Sequence, residues 1–199
     1  AVLNRSKDEQ SGLQSYVWDD LSMIDFSGLD AIVHMAGKAH DVKGLADEKV
    51  YFDVNLGLTE RLTVAAKEQG FQGKFIYFSS VKAIADTVLG QELTETETPD
   101  PQTSYGKSKL AAEKYLNAAV VENLFVLRPC MVHGPHNKGN LNLLYQFVNN
   151  SIPYPLAAYD NKRSLLSVEN LCFIVARLLS NEVKQGAYNL ADDQYISTL

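Results

Sequence analysis

The sequence predicts an α/β fold: a doubly wound parallel sheet with helices on both faces. Three observations predict it. Short apolar segments alternate with amphipathic ones along the chain. The apolar segments around Ile32, Ile76 and Val126 are apolar at successive positions, as in strands covered on both faces. They stop on Ala36-Gly37, Ser79-Ser80 and Arg128-Pro129, and such strand ends are where ligands of parallel sheets bind.

In chain order, residues 1–5 read as the end of a strand and Gln14 to Trp18 as another. Residues 20–28 fit one short helix. Asp30 to Met35 is a buried strand. Leu45 to Gly70 reads as one helix, because Val50, Val54, Leu58 and Leu62 recur at every fourth position on one face, and Gly70 closes it. Lys74 to Phe78, rich in β-branched and aromatic residues, is a strand. A loop rich in Thr, Glu and Pro runs from about Val81 to Thr103, and Ser104 caps a helix reaching about Asn123. Leu124 to Leu127 is a strand ended by Arg128-Pro129, and Ala187 to Leu190 is the last strand. Leu141 to Asn149 and Val168 to Ser180 read as helices.

Composition bounds the function. A chain of 199 residues suffices for one domain plus a small lobe, and 46% hydrophobic residues suffice for a core. The net charge of -6, with no basic run, argues against a nucleic-acid binder. Cys130 and Cys172 form neither a disulfide framework nor a metal spacing, so reduced thiols and a cytoplasmic location are expected. The four histidines lack metal spacing, so no metal is expected. No apolar run approaches the roughly 20 residues that cross a bilayer. The chain starts without Met or a signal pattern, in mid-strand, as a fragment would.

The chemistry centres on Tyr105-Gly106-Lys107-Ser108-Lys109. Tyr105 and Lys109 are four apart on a helix and share a face. A nearby ammonium favours the phenolate, so Tyr105 is expected below the usual pKa of about 10. Such a phenol can exchange a proton with a sugar hydroxyl while hydride moves to a nicotinamide. Spacing alone is weak: a solvated Tyr–Lys pair has the same pattern. Ser79-Ser80, one loop earlier at a strand end, strengthens it, although turn serines look alike.

Taken in order, these residues resemble the extended short-chain dehydrogenase/reductases: the nucleotide-sugar epimerases, dehydratases and reductases. His34-Met35-Ala36-Gly37 resembles the family's H-x-A-[AG] strand end, and Asp20-Leu21 its acid–aliphatic adenine contact. Asn55 resembles the asparagine that orders the active-site strand ends, Ser80 the catalytic serine, and Tyr105 with Lys109 the Y-x-x-x-K pair. Arg128 to Pro135 resembles R-P-x-x-V-[YH]-G-P, whose proline region touches the nicotinamide amide. The resemblance covers nearly the whole chain. It implies catalytic Ser80, Tyr105 and Lys109, with cofactor contacts from Arg5, Asp20, Leu21, Met35, Ala36, Gly37, Asn55, Ser79, Tyr105, Lys109 and Pro129.

Within the family the likeness is to UDP-sugar 4-epimerases and UDP-N-acetyl-deoxyhexose 4-reductases. Ser79-Ser80-Val81-Lys82 and the run Gly134 to Leu141 resemble the reductase-like group, which implies substrate contacts from Lys82, Asn140 and Arg163. A guanidinium fork such as that of Arg163 suits a UDP phosphate. A 4,6-dehydratase fits less well, since Val81-Lys82 stand where that group carries an acid pair. The expected function is thus NAD(P)-dependent epimerisation or reduction at C4 of a UDP-hexose. The alternative is a non-catalytic dinucleotide-sensing or scaffold protein on the same fold.

The family's glycine-rich turn belongs upstream of residue 1, and the family continues beyond Leu199. The expected architecture is therefore an N-terminally truncated Rossmann-like domain over 1–136, part of a small substrate lobe over 137–165, and a return segment over 166–199. The fragment itself could then be inactive. Asn4-Arg5 stands where NAD-selective members carry an acid, which weakly favours NADP over NAD. The resemblance also implies a homodimer through helices 45–70 and 104–122, with Leu56 and Leu116 available to it. His133 is expected to pack under the active site and His34 at its strand end.

Overall fold

The computed structural model describes residues 1–6, 12–39, 47–88, 92–119, 121–135, 149–150, 162–180 and 182–197. The expected helix at 141–149, apart from Asn149, and the substrate contact Asn140 lie outside the described residues.

A central sheet of four parallel strands carries the architecture. β3 (Ala31–His34), β4 (Lys74–Phe78), β5 (Leu124–Pro129) and β8 (Gly186–Leu190) lie side by side in that order. Register is set by pairs such as His34↔Tyr77, Phe78↔Leu127 and Pro129↔Leu190. β1 (Val2–Asn4) and β2 (Ser15–Val17) form a separate parallel pair. Three short strands escaped the sequence analysis: β6 (Met131–His133), β7 (Arg163–Ser167) and β9 (Tyr195–Ile196). They make a small sheet in which β6 and β7 are parallel and β7 and β9 antiparallel.

Both faces of the central sheet are covered, because successive strand residues point to opposite sides. Phe75, Tyr77, Leu124 and Val126 pack with Leu62, Ala66, Ala112 and Leu116 on one side. Ile76, Phe125 and Leu127 pack with Leu166, Leu178 and Leu190 on the other. The first layer comes from a 3-10 turn (Trp18–Met23) and helices α1 (Glu48–Phe52), α2 (Leu58–Glu68) and α3 (Ser104–Ala118). The second includes α4 (Val168–Ser180).

Several expectations need correction. The helix expected over 20–28 is the earlier, shorter 3-10 turn, where the Asp20 carboxylate accepts from the Val17 amide at 3.2 Å. The single helix expected over 45–70 is α1 and α2 joined by a π-helical segment, Asp53–Gly57. Its buried stripe keeps Leu62 but otherwise runs through Tyr51, Asn55, Thr59, Thr63 and Ala66, while Val54 and Leu58 are half-buried and Val50 is exposed. A polar stripe can be buried because its hydroxyls bond within the helix: Thr59 to the Asn55 carbonyl and Thr63 to the Thr59 carbonyl, each at 2.7 Å. Gly70 does close the helix, with φ +72. Leu116, expected to be available for a dimer contact, is fully buried, and Leu56 packs partly buried against the same cluster.

The cap of α3 is Thr103, not Ser104. Thr103 is extended (φ -79, ψ 148), so its hydroxyl can accept from the Gly106 amide at 3.2 Å. It also donates to Asp86 at 3.0 Å. Thr103→Ala should lower stability by about 1 kcal/mol. An unchanged urea midpoint would show that the cap contributes nothing.

Candidate active site

Parallel pairing puts the carboxyl ends of β3, β4 and β5 on one edge. There the chain leaves β3 through Met35-Ala36-Gly37 and β4 through Ser79-Ser80, with α3 alongside. Ser80 caps a 3-10 turn (Val81–Ala83), its Oγ accepting from the Lys82 amide at 3.2 Å. Its hydroxyl also faces the phenol of Tyr105 and favours the charged form of that phenol. The Tyr105 ring is flanked by Tyr51 of α1, with centroids 6.5 Å apart and planes at 59°.

Lys109 is buried. Its ammonium donates to the Phe78 carbonyl at 2.7 Å and lies 5.0 Å above the Tyr77 ring. The pKa of Tyr105 lies above, not below, its ordinary value: burial raises it, and Ser80 only partly offsets that. This corrects the expectation that the lysine would depress it. The two side chains share a face, but the long lysine stem carries its charge past the phenol to the strand end. Burial in turn pulls Lys109 down to about 8, against the opposing influence of Glu113.

Buried polar groups behind the pair fix these positions. Asn55, in the π-helical segment, is fully buried. Its Oδ1 accepts from the Lys38 amide at 2.7 Å, and its Nδ2 donates to the Lys38 carbonyl at 3.1 Å and to Ser108 Oγ at 2.8 Å. Asn55 thus ties the turn after β3 to α3. His34 is buried, its Nε2 2.9 Å from Thr59 Oγ1. Burial first, and Lys109 second, push its pKa down to about 3, so the ring is neutral.

Other expected residues fall in different places. Leu21 is committed to the core rather than to a surface that could meet an adenine. The Ser79 hydroxyl donates to the buried Glu113. Met35 is exposed, and Ala36 and Gly37 follow it at the same edge. Pro129 is buried at the end of β5. Lys82 Nζ lies 3.3 Å from Asp86. Arg163 is exposed in β7, and Arg5 is exposed just beyond β1. His133 is half-exposed rather than packed under the site, with Nε2 3.6 Å from Asp192.

Three residues were missed. Glu113 and Arg128 form a buried bidentate pair at 3.1 and 2.6 Å. Asp86 accepts from the Gln102 amide at 2.8 Å and the Thr103 amide at 3.1 Å, tying the loop after the 3-10 turn to the start of α3. Burial opposes its charge, but these bonds win and hold the carboxyl below its ordinary pKa. The available signal was an arginine ending an otherwise apolar strand, together with an acid four residues after Lys109.

A cofactor can be tested against this geometry. A Cβ at Gly37 would lie 2.9 Å from Lys109 Nζ and 3.0 Å from Asn55 Oδ1, so the backbone of the edge passes close over the ammonium. Among the described residues, the ammonium's one hydrogen bond is to Phe78, leaving N–H donors suited to ribose hydroxyls. These features fit a dinucleotide. Among the described residues, no cluster of His, Cys, Asp and Glu could hold a metal, and no helix is long and apolar enough to cross a membrane.

Comparisons with known proteins place the chain in a family. A model of the NAD dependent epimerase/dehydratase family matches residues 18–191. The UDP-glucose 4-epimerase of Vibrio cholerae is 29% identical over 210 residues, covering 100% of this chain and 64% of that protein. The GDP-6-deoxy-D-mannose reductase of Pseudomonas aeruginosa is 29% identical, with 83% of this chain and 58% of that protein covered. The chain thus spans less than two thirds of the length of these relatives. Among solved structures, RMD from Pseudomonas aeruginosa complexed with NADPH superposes with a TM-score of 0.75 at 24% identity, over 95% of this chain and 73% of that one.

Proposed function

Because the chain belongs to the NAD dependent epimerase/dehydratase family, we propose that it acts with NAD or NADP at C4 of a UDP-hexose, as an epimerase or a 4-reductase. The observation that carries the reading is the buried Lys109, whose ammonium reaches the Phe78 carbonyl at the carboxyl edge of the sheet on the same face of α3 as Tyr105, with the Tyr105 phenol facing Ser80.

Tyr105 is the general acid and base: its phenol exchanges a proton with the O4 oxygen of the sugar. Ser80 orients that oxygen and the phenol together. Lys109 holds a positive charge behind the phenol and offers donors to ribose hydroxyls. Met35, Ala36, Gly37 and Pro129 line the edge where a dinucleotide would lie, and Arg5 with Asp20 stands nearer its adenosine end. Bound there, the dinucleotide supplies reversible hydride transfer at C4. Lys82, Asn140 and Arg163 are assigned to the nucleotide sugar. Residues 1–136 form the dinucleotide-binding part, 137–165 the substrate lobe, and 166–199 the return segment. The reading includes a homodimer through α1–α2 and α3, where Val50 and Val64 are exposed.

Product analysis of the full-length protein tests it. An epimerase interconverts UDP-glucose and UDP-galactose, or their N-acetyl forms, with catalytic cofactor. A 4-reductase consumes one reduced cofactor per UDP-4-keto sugar. Turnover of none of these, with demonstrated cofactor binding, overturns the reading. Arg5 predicts a lower KM for NADPH than for NADH, and a strong NADH preference would reject its role.

A further inference from the structure

Glu113 takes no part in the proton exchange, yet it is one of the most buried charges described. It is 3% exposed and its partner Arg128 is 7% exposed. One Glu113 oxygen accepts from Arg128 Nε at 3.1 Å and also from the Ser79 hydroxyl, and the other accepts from the guanidinium at 2.6 Å. A buried carboxylate and guanidinium lose hydration that their attraction only partly returns, so stability alone is a poor reason for the pair.

The contacts of the pair supply a better one. Tyr105, Lys109 and Glu113 recur at every fourth residue along one face of α3. Each addresses a different one of three consecutive residues at the end of β4. Lys109 bonds the Phe78 carbonyl and Glu113 the Ser79 hydroxyl, while the Tyr105 phenol faces Ser80. Arg128 fastens the same carboxylate to β5.

We propose that Glu113, clamped by Arg128, is a positioning residue: it locks the Ser79–Ser80 strand end in register with α3 and sets a negative charge one turn from the Lys109 ammonium. The proposal rests on the reading of Tyr105, Ser80 and Lys109 as the reacting centre. The charged and titratable groups around Lys109 are Tyr105 and Glu113 on α3, Tyr77 on β4, His34 on β3 and Arg128 on β5. His34 is held neutral, and burial together with Glu113 keeps Tyr77 protonated. Glu113 is the carboxylate that opposes the loss of the lysine proton.

Kinetics of the full-length enzyme test this. Glu113→Gln keeps an acceptor for Ser79 and removes the charge. The alkaline limb of its kcat profile should move to lower pH, and kcat at pH 8 should fall about three- to tenfold, with KM for the nucleotide sugar little changed. Because that variant strands the Arg128 charge, the paired change Glu113→Met with Arg128→Met provides a second form with no orphaned ion. It should show the same displaced limb and a lower kcat, because Ser79 is also released. A folded variant with normal kcat and an unmoved limb overturns the proposal, and so does failure of both forms to fold, which would make the pair merely structural. Tyr105→Phe separates the two levels. If it turns over normally, the reacting centre is misassigned. If it is inactive while the Glu113 variants are normal, only the positioning role fails.

Discussion

Tyr105→Phe in the full-length enzyme should lower kcat about 10²- to 10⁴-fold, the range for loss of a positioned general acid–base. That corresponds to about 3–5 kcal/mol of transition-state stabilisation. The fold should survive, because the phenyl ring keeps its place against Tyr51 and only the hydroxyl facing Ser80 is lost. KM should change little. The protonation states sharpen the expectation. Burial keeps the phenol protonated near neutrality, and Lys109, at about 8, keeps its charge there too. Tyr105 is therefore poised to donate, and activity in the reducing direction should decline as pH rises through the titration of Lys109. A phenylalanine variant with near-normal kcat would remove Tyr105 from the reaction.

How much of this was legible in the sequence depends on which force placed each residue. The central strands were readable because β3, β4 and β5 are buried on both faces and their apolar runs have no other use. Ser80, Tyr105 and Lys109 were found as a group, since strand end and helix spacing are both written in local sequence. The helix expected over 45–70 was misread for the opposite reason. Asn55, Thr59 and Thr63 are buried through hydrogen bonds that no hydrophobic pattern reports, so the valines and leucines suggested the wrong stripe. The strands β6 and β9 are too short to announce a period, and β7 sets only Leu165 and Leu166 among polar residues. Glu113 looked like any solvated helix acid, because what buries it is Arg128, fifteen residues away on another element. The direction of the Tyr105 shift also depended on where a flexible lysine stem ends, which spacing does not fix.

Gly106→Ala is expected to lower stability by about 1–3 kcal/mol, against the helix propensity that favours alanine by about 1 kcal/mol. Gly106 lies in the first turn of α3, beside Tyr105. A Cβ there would stand 2.3 Å from the Lys82 carbonyl oxygen, 3.2 Å from its carbon and 2.9 Å from Pro101 Cβ. None of these atoms is the free end of a flexible side chain, so the helix and the 3-10 turn must part. Ser80 opens that turn and Tyr105 precedes Gly106, so the same displacement widens the gap between the two groups assigned to the proton exchange. A shift of about 1 Å in such a pair can cost about 10² in kcat. Urea unfolding and kcat should therefore fall together. Gly57→Ala is the control: its nearest contact is the Phe52 carbonyl at 3.9 Å, so propensity alone should act and stability should hold or rise. If Gly106→Ala also stabilises, the turn carrying Ser80 is free to move, and close apposition of α3 to the strand end does not set the spacing of Ser80 and Tyr105.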